Sequence, residues 1–530
     1  MRILFFATLN HVMKASYKSI SWLFGDQLNS NHSWFKDHDV SRLFIIAELP
    51  QETSYCNHHV QKVAAFFAAM KNFAESLQQS GHEVLHLTLD ETNDFKDFQE
   101  LIQHMLEQFS AQLFCYQRPD EYRLLNQLRS LTFADHIEVK EFDTEHFLFS
   151  FDQIERDFVS KKSHRMESFY RRMRKGFNIL MDGSEPKGGA WNFDKQNREK
   201  LKKDDVYSVP APLTFENDVS KILTRIKTHK VPVIGREMNP LIWPVNRDQA
   251  LELLDFFCDR CLPSFGRYQD AMTAKSDHSW SLYHSRLSFA LNTKMLSPLE
   301  VINTALTCFE NSQDKISLPQ IEGFVRQILG WREFIRAIYW INMPEYSEEN
   351  FFESNRKLPD YFWTGNTKMR CLQSAIKDSL EYSYSHHIHR LMVTGNFCML
   401  AGIHPDQVDD WYLGIYIDAI QWVELPNTRG MSQYADGGLV ASKPYAASGN
   451  YISKMSDYCT DCYYNVKEVT SEKACPLNSL YWHFQSENST LLRRNPRANL
   501  VFKSWDRKSE DDRNAILLKA KEVISSLESL

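Results

Sequence analysis

Cys459 and Cys462 are separated by two residues, Cys475 follows after twelve more and is itself followed by Pro476, and Cys371 lies far upstream. Soft thiolates hold iron–sulfur clusters or zinc, and two ligands on one tight turn can share a coordination sphere. If the chain folds back, Cys371 supplies a fourth thiolate. The spacing points to a metal site and leaves iron and zinc open. The surrounding YCTDCYYNVKEVTSEKACP is polar and loop-like, as cluster-binding loops are. Cys258 and Cys261 have the same spacing inside LELLDFFCDRCLP, an apolar-periodic helix, and are expected to pack in a core. Ten cysteines in 530 residues are far too few for a disulfide scaffold, so Cys56, Cys115, Cys308 and Cys398 are expected as reduced, buried thiols.

A second constellation lies in HHIHRLMVTGNFCMLAG, which is apolar nearly all round and so predicts a deeply buried helix. Polar groups are costly there unless paired, so His386, His387, His389, Arg390 and Asn396 imply a pocket. Metal binding is one option for the imidazoles. The adjacent Arg390 opposes a cation, and an anionic ligand is the expectation. Ser285, Arg286 and Ser288 in YHSRLSFALNTKMLSP sit near a predicted helix start, suited to phosphate through hydroxyls, guanidinium and backbone N–H groups. A capped helix carrying a surface arginine fits that segment equally well.

Two kinds of pattern must position these groups. From Ser19 to about Phe147, ISWLF, RLFIIAEL, EVLHLTL, QLFCY and HIEVKEF read as strands. Between two of them, Val60, Val63, Ala64, Phe67, Met70, Ala74 and Leu77 share one helical face that stops at Gly81. Alternation of this kind predicts a doubly wound, mostly parallel sheet, a Rossmann-like α/β domain over residues 15–150. Such sheets bind ligands beyond the carboxyl ends of their strands, where Gly25, Asp26, Glu48 and Glu52 fall. No G-x-G-x-x-G or P-loop sequence is present, which disfavours an ordinary nicotinamide or nucleotide-hydrolysing domain. Residues 151–241 are polar, basic and rich in Gly and Pro, and read as a connector. Residues 242–530 read as all-helical, with Ile321, Phe324, Val325, Ile328 and Ile335 on one stripe.

The net charge is −7, which argues weakly against nucleic acid, but affinity for phosphate follows the local patch. KKSHRMESFYRRMRKGF carries Lys161, Lys162, Arg165, Arg171, Arg172, Arg174 and Lys175 against a single opposing Glu167. A DNA-backbone surface and an ordinary solvated helix face both fit it. With 43% hydrophobic and 24% charged residues, the composition is that of a soluble globular protein. No apolar run approaches the roughly 18 residues of a membrane span, so no membrane partner is expected. MRILFFATLNHVM only faintly resembles a signal peptide, and reads as a short extension with Met13 as an alternative start. A cytoplasmic, nucleoid-associated monomer is the expectation.

HSRLSFAL followed by LSP, then EGFVRQILGWREF, resembles the flavin-binding core of the cryptochrome/photolyase family. The resemblance is closer still to its bacterial iron–sulfur branch, the prokaryotic (6-4) photolyases. GDQL, HHVQK, MESFYRRMR, GGAWNFDKQNR, SFGRYQDAM, WTGNTKMRC, SHHIHRLMVTGNF, DAIQWVELPNTRGMSQYADGG, KPYAASGNYISKMSDYC and ACPLNSLYW extend it, in order, from about residue 22 to the C-terminal region.

The resemblance implies light-driven repair of (6-4) photoproducts in UV-damaged DNA. It implies FAD held around Gly266, Gln269, Ser285, Arg286 and Ser288, with Arg326 and Trp331 adjoining and Asp418 and Glu424 near the isoalloxazine. It implies a four-iron, four-sulfur cluster (4Fe-4S) on Cys371, Cys459, Cys462 and Cys475. A 6,7-dimethyl-8-ribityllumazine antenna is implied at Asp26 and Glu52. His386 and His387 form the His-His-x-x-Arg pattern that (6-4) enzymes share, with His387 as the acid, since imidazole holds and releases a proton near neutral pH. Trp363 and Trp411 are candidates for an electron path to the flavin. Tyr412, Tyr445 and Tyr451 are candidates for the edge of the lesion pocket. Two readings compete: a cryptochrome-like blue-light photoreceptor, and a non-enzymatic iron–sulfur nucleic-acid-binding protein.

Overall fold

Five strands form the one extended sheet of the computed structural model, which describes residues 16–530. The expected extension up to Met13 lies outside the described residues. The strands are β1 (Ser19–Leu23), β2 (Arg42–Ala47), β3 (Val84–Leu87), β4 (Leu113–Gln117) and β5 (Glu138–Phe142). All pairings are parallel and the spatial order is β3-β2-β1-β4-β5. The chain runs outward from β1 to β3, then returns to add β4 and β5 on the other side, which puts the topological switch point between β1 and β4. Burial follows the pattern. Ile20, Trp22, Leu43, Ile45, Leu85 and Phe114 are within 1% of complete burial in one apolar cluster. In the edge strand β5, by contrast, Glu138 to Glu141 are all exposed, and charge there blunts an unpaired sheet edge.

The first crossover helix, α1 (Val60–Gln79), buries Val60, Val63, Ala64, Phe67, Met70, Ala74 and Leu77, the whole expected face. Helices α2 (Phe98–Gln108) and α3 (Tyr122–Ser130) complete the alternation.

The segment expected to be a connector is folded. Met166–Phe177 forms α4, whose Phe169, Tyr170 and Met173 are buried, and Ser220–Thr228 forms α5, which buries Ile222, Leu223 and Ile226. Apolar residues at helical spacing inside the polar, Gly- and Pro-punctuated stretch supply these faces. The described residues form two compact units: one comprises residues 16–147 with Thr214–Leu254 and Leu287–Val301, the other Leu148–Leu213, Asp255–Arg286 and Ile302–Leu530. In the first unit Arg225 of α5 pairs with Glu48 at 2.9 Å and Asp90 at 3.1 Å, and His58–His59 runs parallel to Val233–Ile234.

The second unit is helical. Its core includes α6 (Leu318–Val325), α7 (Glu333–Asn342), α8 (Arg370–Tyr382), α9 (Asn396–Ala401), α10 (Pro405–Ile415) and α11 (Pro476–Glu487). Four π-helical stretches interrupt it among the described residues: Phe257–Cys261, Arg326–Arg332, His389–Gly395 and Pro426–Ser432. Each wider turn re-aims the side chains around it, and such turns concentrate at functional sites. No helix among the described residues is long and apolar enough to cross a membrane.

Candidate functional site

Cys371, Cys459, Cys462 and Cys475 line a single cavity, together with Gly449, Tyr458, Tyr464 and Val466. None is in a disulfide. Cys371 is the second residue of α8, Cys459 lies in the short turn Tyr458–Asp461, and Cys475 is the N-cap of α11. Backbone N–H groups of Leu477 and Asn478 point at the Cys475 sulfur, an arrangement that favours a thiolate. Burial, then the neighbouring Cys475, Cys462 and Cys459, push the Cys371 thiol well above its ordinary range, so four thiolates with nothing between them fit this cavity poorly. A bound cation would remove that penalty. Gly449 leaves the room: a Cβ there would stand 2.8 Å from the Cys475 Sγ. Asn478 ties the loop, accepting from Gly449 N–H at 3.1 Å and donating to the carbonyls of Val466 at 2.9 Å and Glu468 at 2.7 Å. The donor set suits a soft metal centre. Cys258 and Cys261 are buried elsewhere, burial raising the Cys261 thiol to about 12.

The buried helix holds its imidazoles in two groups. His389 shares a hydrogen bond with the Ser385 hydroxyl at 3.0 Å and another with the Tyr458 hydroxyl at 2.7 Å. His386, 1% exposed, stacks on His389 at 3.9 Å and on His284 at 4.6 Å. Neither ring nitrogen of His386 has a hydrogen-bond partner among the described residues. Burial, then the nearby imidazoles and Arg390, hold His386 and His284 well below the ordinary imidazole range, and burial lowers His389 to about 3. His387 is different: its side chain is 53% exposed and its Nε2 lies 3.5 Å from Asp270.

Asp270 begins a chain of charges. It stands 3.5 Å from Arg198, which pairs at 3.2 Å with Asp194, itself bonded to Arg326; Arg326 also reaches Glu322 at 3.3 Å. Tyr445 and Tyr451, both partly exposed, have Asp270 and Arg198 as charged neighbours. Tyr412 departs from the expectation. It is 2% exposed, and its hydroxyl donates to the Arg390 carbonyl and contacts Thr394, each at 2.6 Å, so it cannot edge a pocket that admits a base.

Arg286 is 4% exposed, donates to the Leu213 carbonyl at 2.7 Å, lies over the Trp280 ring and has no carboxylate partner among the described residues. Burial pushes it down to about 10. A buried guanidinium without a carboxylate partner suits an anionic ligand. Arg390, by contrast, pairs with Asp418 at 3.0 Å. Tyr384 is close to Arg390, Asp418 and Arg286 alike, which groups these residues. Glu424 accepts from the Thr428 hydroxyl. Gly266 N–H donates to Gln320 at 2.7 Å, beside buried Gln269, and Trp331 is half-buried against Phe334. Ser285 belongs to the second unit, whereas Ser288 opens a short helix of the first.

Trp363 is 38% exposed and follows Phe362, whose ring meets buried Trp411 edge-on at 5.1 Å. On α4 the side chains of Arg171, Arg172 and Lys175 are exposed, as are Lys161, Lys162 and Arg165 just before it. Arg174 is the exception and is removed from the basic face: it is fully buried and donates to the carbonyls of Ile179, Leu180 and Trp191.

In the first unit, the carboxyl ends of β1, β2 and β4 gather Asp26, Glu52, Asp120 and Glu121. Lys294, 2% exposed, bridges Asp26 at 3.0 Å and Asp120 at 2.8 Å, and Arg123 bridges Glu52 at 2.7 Å and Glu121 at 2.9 Å. Burial is the main cause that raises Asp26 to about 6. Lys294 and Arg123 are invisible to local pattern. So are Asn478, Tyr458, Asp270 and His284, because their partners are distant in sequence.

A family model described as deoxyribodipyrimidine photo-lyase-related protein matches residues 21–241. A (6-4) photolyase of Agrobacterium fabrum is 38% identical over 507 residues, 96% of this chain and 99% of that protein. Among solved structures, a bacterial class III photolyase from Agrobacterium tumefaciens superposes with a TM-score of 0.57 at 14% identity, covering 92% of this chain and 99% of that one. A Synechocystis cryptochrome gives 0.54 at 14% identity, with 92% and 89% covered. The two superpositions bear on fold, and the near-complete relative bears on descent: the chain belongs to the cryptochrome/photolyase family, in its (6-4) photolyase branch.

Proposed function

We propose that this protein is a DNA (6-4) photolyase, a light-driven lyase that reverses (6-4) photoproducts in UV-damaged DNA. The observation that carries the reading is the imidazole pair, buried His386 with no hydrogen-bond partner among the described residues beside half-exposed His387, in a chain of this family. FAD, when bound in its reduced form, supplies the photoexcited electron that opens the lesion. The chain's residues do the rest. Arg286, buried without a carboxylate, meets the anionic part of the cofactor, and Gly266, Gln269, Asp418 and Glu424 line its surroundings. His387 holds the proton needed when oxygen or hydroxyl moves between the two bases, and Asp270 orients its ring. A lesion must leave the base stack to reach this pocket, and Tyr445 and Tyr451 stand beside Asp270 to receive it. Trp363, Phe362 and Trp411 lead from the surface inward for re-reduction.

Four thiolates from Cys371, Cys459, Cys462 and Cys475 hold a 4Fe-4S cluster. The four come from α8, the Tyr458–Asp461 turn with the residue after it, and the start of α11, so the cluster fastens these segments of the helical unit. Asp26 and Glu52 belong to the antenna site for the lumazine at the switch point of the sheet. Lys161, Lys162, Arg165, Arg171, Arg172 and Lys175 contact the DNA backbone.

Blue-light illumination of reduced protein with oligonucleotides carrying either a (6-4) photoproduct or a cyclobutane dimer tests the reading. Loss of the (6-4) product alone, and only in the light, is expected. A protein that binds flavin yet repairs neither lesion would point to a photoreceptor instead.

A further inference from the structure

His284, His386 and His387 each offer a ring nitrogen, and the three atoms lie within 4.8 Å of one another. His284 is 8% exposed and His386 1%. Both nitrogens of His386, and Nε2 of His284, lack a hydrogen-bond partner among the described residues. A buried polar atom left unpaired is costly, and a cluster of them facing one another implies something that binds between.

The chemistry of that ligand follows from what surrounds it. Arg390 does not favour an anion at this point, because its guanidinium pairs with Asp418 at 3.0 Å, donates to the Ser385 carbonyl at 2.7 Å and lies over the Tyr416 ring at 3.7 Å. His389 is excluded from the group by its bonds to Ser385 and Tyr458. What remains is three imidazoles, with the Asp270 carboxylate 3.5 Å from His387 on the solvent side. Three imidazoles with a fourth position open are a donor set for a divalent transition-metal ion, and a carboxylate beside one of them is the usual orienting partner.

We propose that His284, His386 and His387 form a site for a divalent transition-metal ion of the zinc class, and that its occupation withholds the imidazole pair from proton transfer. Zinc bonds imidazole nitrogen at about 2.0–2.1 Å, which in a tetrahedron sets the nitrogens about 3.4 Å apart. Closing in from the present spacing needs a movement of roughly 1.4 Å at most, within the reach of the exposed His387 ring. The His284 and His386 rings are now parallel, 10° apart, so one of them must also turn for both lone pairs to converge. Entry is from the exposed His387 side.

The inhibitory half of the proposal rests on the proposed function; the binding half does not. The experiment titrates flavin- and iron-loaded protein with zinc against a chromogenic zinc indicator, following the iron absorbance throughout. Wild type, His284→Asn and His284→Cys are compared. Expected is one zinc per chain bound without loss of iron absorbance, an affinity at least ~10-fold weaker in His284→Asn, and recovery in His284→Cys, whose thiolate is itself a zinc ligand. Saturating zinc should lower light-driven repair by at least ~10-fold, reversibly with a chelator, while flavin photoreduction is unchanged. Equal affinity in wild type and His284→Asn overturns the site. So does zinc uptake only in step with iron loss, or a flavin-retaining His284→Cys protein that binds zinc no better than His284→Asn. If metal-free wild type repairs nothing, the functional reading fails, and the titration still decides the site.

Discussion

The Tyr458 hydroxyl lies 2.7 Å from Nε2 of His389, and Tyr458 immediately precedes Cys459 and lines the thiol cavity. His389 in turn stacks on His386 at 3.9 Å. The loop that closes the thiol cavity therefore braces the imidazole stack. Tyr458→Phe removes this brace at a cost of about 0.5–1.5 kcal/mol in stability. Repair yield should fall while iron content and flavin photoreduction hold steady. Unchanged repair at unchanged iron content would show that the bond is incidental.

The four cysteines make a separable prediction. Cys475→Ser should abolish iron binding and destabilise the helical unit, because a structural metal contributes directly to folding. Gly449→Ala, whose Cβ would stand 2.8 Å from the Cys475 Sγ, should reduce iron occupancy without touching a ligand. Cys258→Ala should leave iron unaltered. Iron analysis and thermal unfolding of the three variants check this, and iron retained at wild-type level in Cys475→Ser would count against the ligand set.

Acid sensitivity follows from the buried imidazoles. Burial lowers His389 to about 3 from an ordinary 6.5 and holds His284 and His386 well below that value too. Below pH 6.5 the unfolded chain takes up protons that the native state refuses, so stability falls as pH drops from 6.5 towards 3. Each such group contributes a slope of about 1.4 kcal/mol per pH unit. Urea unfolding from pH 7.5 to 5 should show the loss, and His389→Gln should flatten it. An identical slope in the variant would rule out His389 as a source.

The basic helix divides into two kinds of arginine. Replacing Arg171, Arg172 or Lys175 by Gln should weaken DNA binding uniformly and reduce the salt slope by about 0.9 for each phosphate no longer neutralised. Arg174→Ala should instead destabilise the fold by about 3 kcal/mol or more, since three buried carbonyls lose their donor. Fluorescence anisotropy at several salt concentrations, beside thermal unfolding, separates the two. Wild-type stability in Arg174→Ala would contradict its buried role.

Local pattern carried the sheet. Alternation and continuous apolar runs located all five strands to within about two residues, and the 3.6-residue stripe located α1, because these periods are written in neighbouring residues. The π-helical stretches were not legible, since a stripe that shifts by one residue looks like a stripe with a flaw. Arg174 was indistinguishable from Arg171 and Arg172 by type. Only the phase of Phe169, Tyr170 and Met173 shows that position 174 turns inward. The grouping of the thiols was legible where cysteines are close in sequence, as in Cys459 and Cys462. Cys371 stands 88 residues before Cys459, and His284 stands 102 before His386, so only the folded chain brings each to its partners.

The most direct measurement illuminates reduced protein with an oligonucleotide bearing one defined (6-4) lesion, beside a His387→Ala variant matched for flavin and iron. Wild type should restore the undamaged bases, and the variant should lose at least ~100-fold in repair yield with flavin photoreduction preserved. Equal repair by both proteins would contradict the role of His387 and, with it, the claim that an imidazole pair serves this photochemistry.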